Sequence, residues 1–422
     1  MADPSRLVPI AGIDRLLGGS RIRQSFSPLD LPPLELLGDA LVRLAAHGPH
    51  TRAGFVKADD EHWRYVGAGI AERLPEIFRV VPEGTAESAQ DWLAAHLVED
   101  LPLQFAVKGD ELASAFDHVL LDAPLASSMP TIIVTMAGGA PVPSLFDTVT
   151  ERPVTRALWN TFGRHPGTLL TLLRSRGAAP EVAALPAGAV EREDDRVPLV
   201  DPGHLTHRLH RSCDVEQMAG VREWGAAHGL GISPTMMLLA AAATQQAGIP
   251  IEPQGDLVVD LRRYLPKGVT TGGNFITGVS VPVWGEGFEP PMVGERLSTM
   301  LDSGRPLAAV AARLLRARRR PPTAPTEADT VPRPVRARTS VSNPGVLRIY
   351  EALPWKVPPA ERRVVHGTDG IAPNAIGWIS STDAGQFRVS VSFRADVFDP
   401  ALVDRAATLM FTDPVGVLDA MV

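Results

Sequence analysis

A segment without any sustained hydrophobic period divides the chain into two long parts. Residues 177–202 read GAAPEVAALPAGAVEREDDRVPLVDP, and this mixture of Ala, Pro and charge is typical of a linker between domains. The chain has 422 residues, whereas a single domain commonly has about 150. We therefore predict an N-terminal domain over residues 1–176, a linker over 177–202 and a C-terminal domain over 203–422.

Composition and charge exclude several classes of protein. Hydrophobic residues make up 45% and charged residues 21% of the chain, which is close to average globular usage. A formal net charge of −7 argues against a nucleic-acid partner, because such proteins usually present a strongly basic face. Cys213 is the single cysteine, so an intramolecular disulfide and a cysteine-rich metal site are excluded.

The distribution of apolar residues argues against export and membrane insertion. The N-terminal residues lack a basic start followed by an apolar run, which defines a secretory signal. The longest apolar stretch, Met236–Ala243, is far shorter than the roughly twenty residues that span a bilayer. We expect a cytoplasmic protein.

Apolar residues at helical spacing predict helices in both parts of the chain. Thr85 is predicted to cap one of these helices, and Ser233 is predicted to cap another, with Pro234 in its first turn. The helix after Ser233 is apolar on all sides, so we expect it to be buried. The predicted helices cover 31–47, 85–97, 214–228 and 233 onward.

β-Rich runs alternate with these helices. Leu101–Val107 and Glu111–His118 flank a Lys-Gly-Asp turn signal, which predicts a hairpin that ends on His118. Thr131–Met136 fits a strand or a buried helical turn, because periodicity alone does not separate the two. Further strands are predicted at 204–209, 257–261, 278–283, 338–342 and 387–393. The fold class is therefore mixed α and β.

The heptapeptide at residues 117–123, DHVLLDA, is the segment best suited to carry chemistry. A histidine that leaves a strand, with Asp122 four residues on, can present one ring nitrogen to a cavity and act as a general base. The alternative is a half-buried strand histidine bonded to a carbonyl, with Asp122 capping a turn. The segment alone does not decide between them.

This heptapeptide resembles the HHxxxDG motif of the chloramphenicol acetyltransferase and condensation-domain superfamily. That superfamily includes polyketide-associated proteins and wax-ester-synthase-like members. The second His and the Asp align with His118 and Asp122, whereas the first His is Asp117 here and the terminal Gly is Ala123. Ala123 puts the local turn in question, because a position with positive φ costs more for Ala than for Gly. Further segments resemble the family in the expected order: GISPTMMLLAAAATQQ, VVDLRRYLP, GGNFITGVSVPV and RTSVSNPGVL.

The resemblance implies a fold and a set of roles. It implies two acetyltransferase-like domains, each a mixed sheet with flanking helices, that form a pseudo-dimer around a tunnel. His118 would be the catalytic base and Asp122 a structural residue paired with Arg262, for which a solvated strand-end charge is the alternative. Asp117 and five residues of tunnel-lining segments are candidates for binding substrate or the oxyanion, although turn or capping roles are alternatives for the five: Asn274, Thr277, Ser340, Ser342 and Asn343.

The implied activity is acyl transfer from a CoA or carrier-protein thioester to an alcohol or amine. The implied setting is secondary-metabolite or lipid biosynthesis. No tightly bound cofactor is expected. No Gly-x-Ser-x-Gly segment occurs, so direct transfer without an acyl-enzyme is favoured. Alternatives are a catalytically silent domain that binds a carrier protein and recruits a partner, and epimerising or cyclising variants of the fold.

A histidine cluster and a basic run are weaker candidates for a functional site. His204, His207 and His210 lack the i, i+4 pairing on one helix face that favours zinc, so we expect no metal site. The basic run from Arg313 to Arg320 is typical of a solvated helix end, followed by an extended Pro-rich loop. Its alternative role is contact with a CoA phosphate or an acidic carrier protein.

Overall fold

The structure of the protein, a computed structural model, forms two compact units. It describes residues 6–15, 18–150, 152–175, 196–198, 206–319, 330–332, 335–369 and 372–421. Unit 1 comprises Met1–Pro153, Lys267–Phe275 and Val346–Asp369, and unit 2 comprises Val154–Pro266, Ile276–Gly345 and Gly370–Val422.

Strands and helices alternate along the described residues. The strands are β1 (Arg6–Pro9), β2 (Arg21–Ser27), β3 (Phe55–Lys57), β4 (His62–Tyr65), β5 (Phe78–Val80), β6 (Leu103–Lys108), β7 (Glu111–Asp117), β8 (Arg196–Pro198), β9 (Thr206–Asp214), β10 (Gln254–Asp260), β11 (Ile276–Pro282), β12 (Thr330–Pro332), β13 (Arg338–Val346), β14 (Arg363–Thr368), β15 (Ala375–Asp383) and β16 (Gln386–Arg394). The α-helices are α1 (Gly12–Arg15), α2 (Leu34–Ala46), α3 (Leu74–Ile77), α4 (Ala89–Ala95), α5 (Ala123–Ala137), α6 (Pro153–Leu158), α7 (Pro166–Ser175), α8 (Ala219–Ala227), α9 (Ile232–Gln246), α10 (Pro291–Asp302), α11 (Arg305–Arg319), α12 (Pro400–Thr412) and α13 (Pro414–Asp419).

The main core of unit 1 lies on one face of a five-stranded sheet of order β14-β2-β7-β6-β5. Strands β5 and β6 are parallel, and the other pairs are antiparallel. Side chains alternate between the two faces of a strand, so Ile22, Phe26 and Phe116 share the core face. Helices α2 and α5 pack together, and α5 contacts β2. Helix α4 covers the opposite face, where Ala106, Ala113 and Ala115 are buried.

Unit 2 has its own core around a six-stranded sheet of order β11-β10-β13-β15-β16-β9. Strands β10 and β13 are parallel. Helix α9 is buried along Pro234–Thr244, as expected for a helix that is apolar on all sides, and it contacts α8, α12 and α13. The predicted mixed α and β class, with a mixed sheet and flanking helices in each unit, is confirmed.

The units differ from the predicted domain boundaries because unit 1 is discontinuous in sequence. Strand β14 pairs with β2 along Arg363–Thr368, which places this C-terminal segment in the N-terminal sheet. The amide of Thr150 donates to the Thr270 carbonyl at 2.8 Å, which ties the loop 267–275 to the same unit. Of the predicted linker 177–202, only Arg196–Pro198 falls within the described residues.

Several local predictions are confirmed. The hairpin forms from β6 and β7, with Gly109 at a positive φ of 59°. Helix α2 lies within the predicted 31–47 segment, and α8 ends before Gly229, whose φ of 68° suits its position after a helix. The ambiguous run 131–136 is helical and belongs to α5.

The two predicted helix caps are wrong. Ser88, not Thr85, caps α4 by accepting from the Asp91 amide at 3.1 Å, whereas the Thr85 hydroxyl donates to the Pro82 carbonyl. Helix α9 begins at Ile232 with Gly231 at its N-cap, so Ser233 lies inside the first turn. Only a short turn separates α8 from α9, and in it the Leu230 amide donates to the Gly225 carbonyl at 2.7 Å. This turn ends at Gly231, so α9 begins one residue before Ser233.

Within the described ranges, no single helix combines the length and apolar character needed to cross a membrane. The helical segments Val215–Ala227 and Ile232–Gln246 meet the length and composition test only as a pair, and they are bent by 105° at the break between them.

Two fully buried glutamines of the unit 1 sheet give a matched test of buried polarity. Neither amide atom of Gln24 has a hydrogen-bond partner among the described residues, whereas the Gln104 amide makes bonds to Arg79, Val98 and Leu101. An unsatisfied buried polar group costs about 1–3 kcal/mol. Gln24→Met should therefore raise the free energy of unfolding in urea by about that amount, and Gln104→Met should lower it. A decrease in both variants would contradict this expectation.

Candidate active site

His118 lies at the joint between strand β7 and helix α5. Its amide donates to the Ser20 carbonyl at 3.1 Å, which extends the β2–β7 pairing by one residue. The chain then turns, because the amides of Leu120 and Leu121 both donate to the Asp117 carbonyl at 3.0 and 3.2 Å. The turn ends at Asp122, the N-cap of α5, and this fixes where the His118 ring can lie.

The departures from the family motif have local explanations. The Asp117 carboxylate accepts from the Val119 amide at 2.9 Å, so it stabilises the turn that carries His118. Ala123 is the first residue of α5 and is not among the described residues with positive φ, which apart from glycine are Arg52 and Ala384. The expected cost of Ala at this turn therefore does not arise.

Asn274 holds His118 at two points. The His118 ring is buried, with about 6% of the residue exposed, and its Nδ1 lies 3.1 Å from Asn274 Oδ1. Asn274 Nδ2 donates to the His118 carbonyl oxygen. A carbonyl oxygen can only accept, so this second bond fixes which end of the amide faces the ring. In the neutral imidazole the hydrogen is then on Nδ1, and Nε2 carries the lone pair.

Burial is the main influence on the charge of His118. Desolvation lowers the pKa of the imidazole below its ordinary value. The carbonyl of His118 itself, the Asn274 side chain, the Leu121 carbonyl and the Asp117 charge oppose this shift, but burial outweighs them. The ring is therefore neutral near pH 7, as a general base must be.

Asp14 and Arg52 support the Asn274 loop and were not found from the sequence. Asp14 Oδ1 accepts from the Asn274 amide at 2.8 Å, and its Oδ2 lies 3.8 Å from Arg52 Nη1. Burial raises the pKa of Asp14, and the Arg52 charge and hydrogen bonds from Asn274 oppose that shift. The one available signal was the Gly272-Gly273 pair, because adjacent glycines often mark a close approach of backbone to another group.

Asp122 is the N-cap of α5. A capping role for Asp122 was the alternative interpretation of the heptapeptide. Asp122 Oδ1 accepts from the Leu125 amide at 3.4 Å, and the Ala126 amide donates to the Asp122 main-chain carbonyl at 2.8 Å. In unit 2, Arg262 Nη1 lies 3.3 Å from Asp260 Oδ1. The pairing of Asp122 with Arg262 stays a prediction.

The other site candidates lie in unit 2. The Thr277 hydroxyl donates to the Gly278 carbonyl at 3.4 Å, and Asn343 Oδ1 accepts from the Gly345 amide at 2.9 Å, as in a turn. Ser340 and Ser342 are half-buried residues of β13 that share one face of the strand. Their roles toward a substrate stay predictions.

The remaining clusters contribute no metal site among the described residues. His207 and His210 lie three residues apart on β9, opposite Phe393 and Ser390, and thus on different faces. His204 and Arg320 lie outside the described residues. No group of three or more His, Cys, Asp or Glu side chains is arranged to hold a metal in the described part of the chain. Arg313 is exposed on α11, which continues to Arg319.

Solved structures of similar fold cover nearly the whole chain. Trichothecene 15-O-acetyltransferase TRI3 from Fusarium sporotrichioides has a TM-score of 0.60 and 10% identity, covering 99% of this chain and 96% of that one. The condensation domain of the Monacolin K polyketide synthase MokA has a TM-score of 0.55 and 13% identity, with 98% and 97% covered. This chain has the condensation-domain fold. The resemblance stated from the sequence is thereby confirmed for the fold.

A larger protein shares the same fold over part of its length. The nonribosomal peptide synthetase FmoA3 has a TM-score of 0.58 and 18% identity over 99% of this chain, which spans 45% of the FmoA3 chain. No protein-family model matches the sequence, and a search of curated proteins gave no significant match. At these identities the likeness shows the fold alone.

The approach of the Asn274 loop to Asp14 and Arg52 can be tested with Gly273→Ala. The added Cβ would lie 2.7 Å from Arg52 Nη2 and 3.1 Å from Asp14 Oδ1, so the ion pair must move. We expect the free energy of unfolding to fall by about 1–3 kcal/mol, as for other overpacked sites. Gly69→Ala is the control, because its Cβ meets only Val66 at 3.8 Å. Equal effects in urea denaturation would contradict the close approach.

Proposed function

We propose that the protein transfers an acyl group from a thioester to an alcohol or amine, with His118 as the general base. The observation that carries this proposal is the hydrogen bond that His118 Nδ1 donates to Asn274 Oδ1, 3.1 Å long. This contact selects the tautomer whose Nε2 can accept a proton. The condensation-domain fold supports the same reaction class.

The proposed reaction proceeds by direct attack. Nε2 of His118 takes the proton from the acceptor hydroxyl or amine while the acceptor oxygen or nitrogen bonds to the thioester carbonyl carbon. The tetrahedral oxyanion collapses, the carbon–sulfur bond breaks, and the imidazolium returns its proton to the thiolate. The products are an ester or amide and a free thiol.

The donor is a thioester of CoA or of a carrier-protein pantetheine arm. The nonribosomal peptide synthetase and polyketide synthase context of the structural neighbours supports a carrier-protein partner. Hydroxyl and amide side chains of unit 2 are the proposed oxyanion donors, because preorganised donors stabilise developing charge by several kcal/mol. These are Thr277, Ser340, Ser342 and Asn343.

The pairing of Asp122 with Arg262 is part of this proposal. A guanidinium can brace a carboxylate with two parallel bonds, and Asp122 caps the helix that follows the His118 turn. The pair would thus hold the turn from the helix side, whereas Asn274 holds it from the side of the ring.

The role of His118 is tested by His118→Ala. Loss of the base should reduce thioester consumption by about 10²- to 10⁴-fold, measured as free thiol with a panel of acyl-CoA and acyl-carrier donors. His62→Ala is the matched control, because His62 is partly exposed and pairs with Asp59 on the surface of unit 1. Near-normal turnover of folded His118→Ala protein would reject the base.

The lowered pKa of His118 predicts the acid limb of the reaction. A base with a lowered pKa stays neutral at pH values where an ordinary imidazole, with a pKa of about 6.5, begins to protonate. The rate constant kcat/KM should therefore stay level down through this pH and fall only below it, since kcat/KM reports the free enzyme. A midpoint above the ordinary imidazole value would contradict the desolvated site.

A recruitment module remains the second candidate function, motivated by the absence of the first motif histidine at Asp117. The local structure weakens that motive, because Asp117 is occupied in the His118 turn through the Val119 amide. The thiol assay separates the two functions. A recruitment module should bind acyl-carrier protein, measured by calorimetry, and release no thiol.

A further inference from the structure

We propose that Asp14 is a positioning residue that acts on His118 through Asn274, an inference that rests on the proposed function. The contacts form a continuous path, which we call the positioning chain: Arg52, Asp14, Asn274 and His118. The Asp14 carboxylate accepts from the main-chain amide of Asn274 at 2.8 Å, and the Asn274 side chain contacts both the ring and the carbonyl of His118.

The need for such a chain follows from the chemistry of the Asn274 amide. A carboxamide can rotate so that its NH₂ group rather than its oxygen faces the imidazole, and the ring would then keep its hydrogen on Nε2. In that tautomer the lone pair is on Nδ1, so Nε2 cannot accept a proton from the acyl acceptor. Asp14 restricts this rotation, because its carboxylate can only accept and receives hydrogen bonds from both the main-chain amide and the side chain of Asn274.

The position of Asp14 is costly, which argues that it has a specific use. The residue is 1% exposed, and a buried carboxylate requires a counter-charge and hydrogen bonds to remain ionised. Arg52 supplies the counter-charge from 3.8 Å, and Asn274 supplies the hydrogen bond. The charge that acts directly on the pKa of His118 is that of Asp117, so Asp14 acts on the ring through Asn274.

The glycines before Asn274 allow the chain to form. A Cβ at Gly272 would lie 3.1 Å from the His50 carbonyl oxygen, and one at Gly273 would approach both Asp14 and Arg52. Arg52 itself has a positive φ of 60°, a conformation that costs non-glycine residues. Asp14 is thus contacted by Arg52, whose backbone conformation is unusual, and by a loop that glycines allow to approach closely.

The test uses Asp14→Asn in the full chain, with acyl transfer and thermal unfolding measured together. We expect kcat to fall up to about 10²-fold, as for a misplaced catalytic group, while KM changes little. The acid limb of kcat/KM should move to lower pH, because the hydrogen bond with the Asn274 side chain raises the pKa of the imidazole and would be weakened. Asp39→Asn, on an exposed face of α2, is the control and should match the unchanged protein.

A second variant shows whether Asp14 acts through Asn274. Asn274→Ala keeps the main-chain bond to Asp14 but removes the side-chain hydrogen bond to Asp14 and both contacts to His118, so kcat should fall. In the double variant the Asp14→Asn effect should largely disappear, since residues in one network are not additive. Full additivity, or unchanged kcat in folded Asn274→Ala, would overturn the inference.

Failure of this inference is distinct from failure of the proposed function. If His118→Ala abolishes thiol release while Asp14→Asn and Asp14→Ala, which removes the acceptor itself, both retain the kcat and pH profile of the unchanged protein, His118 is the base and the positioning chain is wrong. If His118→Ala retains turnover, the proposed function itself is rejected.

Discussion

The contact between Asn274 and His118 is the interaction on which the candidate site depends. It joins residues 156 positions apart in sequence and uses the amide at both ends, as an acceptor for the ring and as a donor to the main chain. The bond to the His118 carbonyl fixes which end of the Asn274 amide faces the ring, and thereby which ring nitrogen carries the hydrogen.

The same geometry explains how an imperfect motif can keep its shape. In the sequence, Asp117 and Ala123 are departures from the HHxxxDG pattern. In the structure, Asp117 accepts from the Val119 amide and Ala123 opens α5 without positive φ. Both substitutions thus suit the backbone that carries His118. The two positions that match the motif, His118 and Asp122, lie at the start of the turn and at the N-cap of α5.

Local patterns were sufficient to predict much of the fold but only part of the site. Periodicity predicted α2, α9 and the β6–β7 hairpin because each depends on neighbours in sequence. It left Thr131–Met136 open, because an apolar run of six residues suits a buried strand and a buried helix equally. Thr85 and Ser233 failed as caps because the entry of the chain, not the residue type alone, decides where a helix begins.

The residues missed at the site are those whose partners are distant in sequence. Asp14 meets Asn274 across 260 positions, and no spacing rule covers such a distance. Asn274 itself was found through resemblance, as a possible oxyanion donor, whereas its observed contacts are with His118. A motif indicates which side chain reacts, but the contacts that orient that side chain are set by tertiary structure.

Segments that are distant in sequence from residues 117–123 contribute to unit 1 around His118. The Asn274 loop comes from 267–275, and β14, from near the C-terminal end, pairs with β2 beside β7. At the start of the turn, the His118 amide donates to the carbonyl of Ser20, which is next to that same strand β2. The ring orientation therefore depends on segments from three distant parts of the sequence that all belong to unit 1.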